Sequence, residues 1–291
     1  MKRVPSPTLA GVVLGVFFGG ILFGTLLGAN LLQVASLGLR PFSRRAFRAV
    51  NREIADTWWG WCVSLARRQG ICVVQSGDAL PFQEDAIVFS NHQQMPDITF
   101  LFFVARACGR LGDLKWFVKK SLKWVPGAGW GLQFLDCLFV DRDWAKDQDS
   151  IRATFDRLVT EQVPFWLVSF PEGTRFTEEK REAARAWAES EGLELTRHVL
   201  IPRPNGFVAS VQGLRKRAAA VYDVTIAYPD GVPTLGQYTL GRVKVAHIHV
   251  RRFPVGELPR DAAALAAWLR ERFVEKDRRL ERFHRVGSLS D

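Results

Sequence analysis

The sequence predicts an α/β fold, a mixed and largely parallel sheet covered by helices, behind an N-terminal hydrophobic membrane anchor. Three observations predict it. After about residue 55, short β-rich runs alternate with helical stretches, the pattern that parallel strands with helical crossovers produce. No break rich in Pro, Gly and Ser divides that region and no repeat recurs in it, so residues 55–291 read as one domain. From Leu9 to Leu39 no residue is charged and most are apolar, which sets residues 1–54 apart as an anchor with a basic flank.

As a helix, Leu9–Leu39 would reach about 46 Å, more than a ~30 Å hydrocarbon core requires. A secretory signal has a shorter apolar core and a small-residue cleavage site; neither is evident. Two shapes fit: one tilted span running into an interfacial helix, or a monotopic two-helix hairpin broken near Gly19-Gly20. Glycines recur at every fourth position, at 11, 15 and 19 and again at 20, 24 and 28. Such rows permit close helix packing in lipid, although glycine is common in membrane helices generally. Lys2 and Arg3 precede the stretch, and Arg40, Arg44, Arg45, Arg48 and Arg52 follow it. The heavier flank belongs on the cytoplasmic side and suits anionic head groups.

Strands are expected at Ile71–Val74, Ala86–Ser90, Lys115–Val118, Cys137–Val140, Phe165–Phe170, Val199–Ile201, Ala220–Ala227 and Val243–Phe253. Helices are expected at Asp97–Ala107, Ser150–Gln162, Glu178–Glu191, Gly206–Leu214 and Arg260–His284. The last places Leu265, Leu269, Phe273, Leu280 and Phe283 at mostly helical spacing, which fits a helix packed on the domain or one lying on a membrane.

Composition narrows the function classes. The 291 residues include 40 Lys+Arg and 30 Asp+Glu, for a net charge of +10; 47% are hydrophobic and 24% charged. Disorder, collagen-like repeats and a polytopic membrane protein are excluded. The four cysteines contain no C-x-x-C, so free thiols in a reducing compartment are expected. The charge suits an anionic partner; the arginines are dispersed and no nucleic-acid-binding signature occurs.

Four short motifs could carry chemistry. Asn91-His92-Gln93-Gln94-Met95-Pro96-Asp97 follows an apolar run. On one continuous helix His92 and Asp97 would point about 140° apart. They meet if His92 lies in the turn and Pro96 opens the next helix, because proline suits the first helical position. That pair is two-thirds of a Ser-His-Asp triad, with the nucleophile left to a substrate hydroxyl; taken alone, it also fits a surface histidine near a helix cap. Phe170-Pro171-Glu172-Gly173-Thr174-Arg175 ends an apolar strand, with a planar cation suited to phosphate, or forms an ordinary turn. Phe139-Val140-Asp141-Arg142 offers a second arginine, or a paired surface one. Val199-Leu200-Ile201-Pro202-Arg203 reads only as a strand end. No metal-ligand spacing accompanies His92, so no metal is expected.

In order and spacing these four motifs resemble the blocks of the glycerolipid acyltransferase superfamily. Trp144-Ala145-Lys146-Asp147, Val221-Tyr222-Asp223-Val224-Thr225 and His247-Ile248-His249-Val250 resemble its plant and animal lysophosphatidate acyltransferases, and the branch with lysocardiolipin acyltransferases and bacterial relatives. The likeness runs from about residue 25 to 283. It implies transfer of a fatty acyl group from acyl-CoA or acyl-carrier protein to the sn-2 hydroxyl of 1-acylglycerol 3-phosphate. His92 would be the general base, Asp97 its partner, and no acyl-enzyme or cofactor would form part of the cycle. Arg142 and Arg175 would hold the acceptor phosphate, with Asn91, Glu172, Gly173, Thr174 and Pro202 shaping its pocket. The eukaryotic enzymes continue into further hydrophobic segments, whereas this chain ends in a charged tail at Asp291. A bacterial inner-membrane enzyme with a cytoplasmic catalytic domain is therefore expected. A lysophospholipid remodelling acyltransferase acting on lysocardiolipin or another lysolipid is the alternative within enzymes, and a non-catalytic membrane lipid-binding protein the alternative outside them.

Overall fold

The computed structural model describes residues 9–290 except Arg142. Lys2, Arg3 and Arg142 therefore lie outside the described residues. Seven strands form one sheet: β1 (Cys72–Gly77), β2 (Ala86–Ser90), β3 (Leu114–Lys119), β4 (Leu138–Val140), β5 (Trp166–Ser169), β6 (Ala220–Ala227) and β7 (Val245–Pro254), in the order β1-β7-β6-β2-β5-β3-β4. Every neighbouring pair is parallel except β6 with β7. The sheet is thus mixed and largely parallel, as its sequence pattern predicts.

Central strand β2 shows why its sequence has no polar alternation. It pairs with β5 on one side and β6 on the other, and all five of its residues are buried. Successive side chains point to opposite faces, and both faces are covered. Ala86 and Val88 join the cluster of Phe100, Leu101, Trp116 and Trp166, under α2 (Arg44–Arg68) and α3 (Pro96–Ala107). Ile87 and Phe89 join Phe155, Phe165, Phe207, Leu269 and Phe273 on the other face. That face is covered by α5 (Trp144–Thr160), α8 (Asn205–Leu214) and α10 (Ala262–Val286).

Four expectations change. Val199–Ile201 joins no ladder; Leu200 is buried but gives its N–H to the Glu172 carboxylate instead of to a strand. The helix expected over Glu178–Glu191 breaks at Ala184 into α6 (Glu178–Ala183) and α7 (Arg185–Ser190). Apolar helix α1 (Leu9–Ala35) runs unbroken through Gly19-Gly20, so no hairpin forms there. Gly15 lies against Leu240, but Gly19, Gly20, Gly24 and Gly28 face nothing within 4 Å; that part of the glycine row packs on none of the described residues.

The basic flank is itself helical. Residues 54 and 55, where the sequence suggests a boundary, lie in the middle of α2. Arg44 and Arg48 pair with Glu161, Arg48 also with Asp136 at 2.9 Å, and Arg52 with Asp113 at 2.8 Å. These three arginines dock the start of α2 onto the domain, on the same helical face that further along buries Ala55, Trp59, Val63 and Ala66 in the core. α1 is fastened in turn. Trp58 donates to Thr25, Asn51 to Ser36, and Gln33 to the Gly131 carbonyl in the short helix α4 (Ala128–Leu132).

Candidate active site

The site forms where β2 and β5 end. Beyond Ser90 the Asn91 side chain completes the ladder that the backbone leaves. Its amide donates to the Ile226 carbonyl at 3.0 Å and its oxygen accepts the Ile226 N–H at 2.9 Å. Asn91 is thereby spent on fixing the turn to β6. Pro96 opens α3 and Asp97 stands in its first turn. With its chain reversed there, the fully buried Asp97 reaches back: one carboxylate oxygen accepts the N–H groups of Gln93 at 2.6 Å and Gln94 at 2.8 Å. The same oxygen lies 2.9 Å from His92 Nδ1. An acceptor-only carboxylate opposite Nδ1 places the imidazole proton on that nitrogen and leaves the Nε2 lone pair free. Phe170 stacks on the imidazole at 4.1 Å between ring centroids and 19° between planes, with Trp116 stacked behind Phe170. The ring is held at its edge by charge and on its face by packing.

Glu172 has 2% of its surface exposed. One oxygen accepts the His92 N–H at 2.6 Å and the other the Leu200 N–H at 2.8 Å. Loss of water pushes its carboxyl up to about 8, against those two hydrogen bonds. Gly173 follows at φ +69°, a conformation that favours glycine. The chain then returns to the turn: Phe176 N–H donates to the His92 carbonyl at 2.7 Å, and Arg175 donates to the Gln94 side chain at the surface. Arg203 N–H donates to the Pro171 carbonyl at 2.8 Å, and its side chain passes over Gly173. Thr174 accepts from Lys180 Nζ at 2.7 Å.

A cavity of about 780 Å³ opens beside His92. Its apolar walls include Trp58 and Trp59 of α2, Phe102 of α3, Trp116 and Phe170, and α1 closes one side with Leu26, Ala29 and Gln33. Lys119, Gly173 and Arg203 also line it. His92 and Asp97 therefore meet as the motif spacing demands. Of the residues expected to touch substrate, Gly173 reaches the wall. Asn91, Glu172 and Pro202 are buried supports, while Thr174 and Arg175 lie outside the cavity wall, bound to Lys180 and Gln94. The backbone flanking Arg142 is fixed by Asp147, which accepts the N–H groups of Asp141 at 2.9 Å and Asp143 at 3.2 Å.

Sequence reasoning passes over three contributors. Tyr228 donates to the second oxygen of Asp97. Its signal was present: β6 parallels β2, so a polar side chain just past Ala227 arrives at the same sheet edge as His92. Arg203 occurs in the fourth motif but gave no sign of facing a cavity. The α1 and α2 walls carried no local signal, since their partners lie far away in the chain.

Chemically, an imidazole with a free Nε2, a buried carboxylate behind it, an apolar cavity and cations in its wall can deprotonate an alcohol that carries a fatty chain. Comparison with known proteins agrees. The family model described as "Acyltransferase" matches residues 72–229, and "Acyltransferase C-terminus" matches 239–291. The chain is 36% identical to 1-acyl-sn-glycerol-3-phosphate acyltransferase 2 of Arabidopsis thaliana over 279 residues, covering 93% of this chain and 71% of that protein. It is 34% identical to lysocardiolipin acyltransferase 1 of Danio rerio over 269 residues, covering 91% and 69%. The crystal structure of the 1-acyl-sn-glycerophosphate acyltransferase of Thermotoga maritima shares the fold, with a TM-score of 0.55 over 92% of this chain and 95% of that one, at 17% identity. With a family model over more than half its length and relatives this similar over nine-tenths of it, the chain belongs to the acyltransferase family.

Proposed function

We propose that the protein transfers a fatty acyl group from a thioester, acyl-CoA or acyl-carrier protein, to the sn-2 hydroxyl of 1-acylglycerol 3-phosphate, giving phosphatidic acid. The observation that carries this reading is the free Nε2 of His92, backed by Asp97, opening into an apolar cavity. Nε2 accepts the hydroxyl proton as the oxygen attacks the thioester carbonyl; the C–S bond breaks and the thiolate leaves with the proton that the imidazolium returns. Asp97 offsets the imidazolium charge while it exists. The acyl group passes directly to the acceptor, without an acyl-enzyme, metal or cofactor.

The acceptor phosphate meets Arg203, which lines the cavity against Gly173, together with Arg175 and Arg142 as their motifs imply. Arg203 pairs with no carboxylate among the described residues. Glu172, with both oxygens held by backbone N–H groups, acts by keeping His92 and the 199–203 segment together.

The membrane supplies both lipids. Gly15–Leu39 is the helical stretch long and apolar enough to cross a bilayer among the described residues. Yet α1 touches the acyltransferase domain at Gly15 and Gln33 and walls the cavity with Leu26, Ala29 and Gln33, which favours an anchor seated in one leaflet on the cytoplasmic face. Beside it the segment following β3 exposes Trp124, Val125 and Trp130 near Lys120 and Lys123, a composition suited to the lipid head-group boundary. The anchor so read is α1 with the basic start of α2, and the remaining chain is the acyltransferase domain.

The resemblance to a lysocardiolipin acyltransferase supports a second reading, remodelling of another lysolipid. Purified protein assayed with a matrix of lysolipid acceptors against acyl-CoA and acyl-carrier protein separates the two. The first reading expects preference for lysophosphatidate and loss of ~10²–10⁴-fold in turnover in His92→Ala. Preference for lysocardiolipin selects the second; near-normal transfer by His92→Ala removes both.

A further inference from the structure

We propose that Tyr228 is a positioning residue for acyl transfer, holding the Asp97 carboxylate so that it orients and tempers the base His92. The two oxygens of Asp97 are divided. One accepts three donors: His92 Nδ1 and the N–H groups of Gln93 and Gln94. The other accepts the Tyr228 hydroxyl. Both side chains are buried, with Asp97 at 0% and Tyr228 at 3% exposure, so water does not replace that donor. Burial and the Asp97 charge hold the phenol well above its ordinary range, and it remains a donor throughout the working pH range.

The placement of Tyr228 is rigid. It follows β6, whose Ile226 is clasped on both backbone atoms by Asn91. Edge-on contact with Phe100, at 5.6 Å between centroids, fixes its ring against α3. β6 therefore holds the catalytic turn twice within three residues, once at Asn91 and once at Asp97. The other ionisable groups acting here are Glu172 on Asp97, Tyr238 on Tyr228, and the buried Lys276 on Glu172.

A hydrogen bond to a carboxylate stabilises its charge and weakens its pull on a neighbouring cation. Removing the hydroxyl leaves a more basic Asp97, which binds the imidazolium more strongly and makes His92 easier to protonate. It also frees the carboxylate to turn. The inference rests on the acyl-transfer reading above and adds a residue to it.

The test is Tyr228→Phe in the full chain, purified in detergent and assayed for acyl transfer across pH. The expected result is a roughly 3–10-fold lower kcat with little change in KM, because a carboxylate free to turn no longer holds the imidazole in line with the hydroxyl, and this loss outweighs the stronger attraction. The acid limb of the kcat/KM profile should move upward by about 0.5–1 pH unit. Should the variant turn over too slowly for a profile, the ¹⁵N resonances of the His92 ring report the same titration, and an upward midpoint again supports the proposal. An unmoved or downward-moving limb overturns it, whether or not the melting temperature falls. A wild-type protein inactive with every lysolipid would instead defeat the acyl-transfer reading itself, a distinct result.

Discussion

Replacing Asp97 with Asn isolates the electrostatic contribution of the carboxylate. His92 Nδ1 lies 2.9 Å from Asp97, which puts the two charge centres about 4 Å apart once the imidazole is protonated. At an effective dielectric constant of ~20 that attraction is about 4 kcal/mol. In the proposed reaction the imidazolium forms as the proton is transferred, so most of this energy acts on the transition state. At 1.36 kcal/mol per decade it corresponds to about three decades of rate. Part is regained by solvent and by the Asn dipole, so kcat should fall by ~10²–10³. The fold should survive. The Asn oxygen still accepts the N–H groups of Gln93 and Gln94, and its amide can face the Tyr228 oxygen. The assay follows thiol release from acyl-CoA with lysophosphatidate in detergent, beside a thermal melt. Retention of more than a third of wild-type kcat in a variant of unchanged melting temperature would refute the claim that this carboxylate supplies charge to the reaction. A change confined to KM would refute it equally.

Two further outcomes follow from burial. The Glu172 carboxyl is pushed up to about 8 in the folded chain from an ordinary 4.5. The folded protein therefore keeps a proton that the unfolded chain has lost; this stability is fully present below about pH 4.5 and disappears as pH rises through 8. A difference of ~3.5 between those values corresponds to about 5 kcal/mol as an upper figure. Glu172→Gln removes that titration, so its deficit in melting temperature relative to wild type should shrink from pH 5 to pH 9, and parallel pH profiles would contradict the burial argument. Burial also pushes the thiols of Cys62 and Cys137 up to about 12 and Cys108 to about 11, while Cys72 is exposed on β1. Native protein at about pH 7.5 should thus label rapidly with maleimide at Cys72 alone among the four, as peptide mass spectrometry would read; equal labelling at Cys62 or Cys137 would mean that α2 or the β4 edge opens in solution.

The elements most legible in the sequence are those whose signal is local. Ala86–Ser90 and Ala220–Ala227 have the residue limits expected of them, because both are central strands whose faces are each covered, and a continuous apolar run leaves little choice. The His92–Asp97 pair was equally readable: five residues with a proline at the helix start fix the geometry within one turn. Helix α2 is not legible locally for a physical reason. The partners of its arginines, Glu161, Asp136 and Asp113, are brought beside them only by folding, from 61 to 117 positions away.

Tertiary structure decided the rest. Motif residues that read as substrate ligands, Asn91 and Glu172, became brackets because the carboxyl ends of β2, β5 and β6 converge and leave backbone N–H and C=O groups that must be satisfied away from water. Tyr228 reaches Asp97 across 131 positions, and the cavity wall is shared by α1, α2 and the 199–203 segment. The sequence by itself determined the sheet, the apolar N-terminal helix and the histidine–carboxylate pair, since periodicity and turn chemistry act over a few residues. Which side chains face the cavity, and which are consumed in holding it, depended on contacts between distant segments that no local pattern encodes.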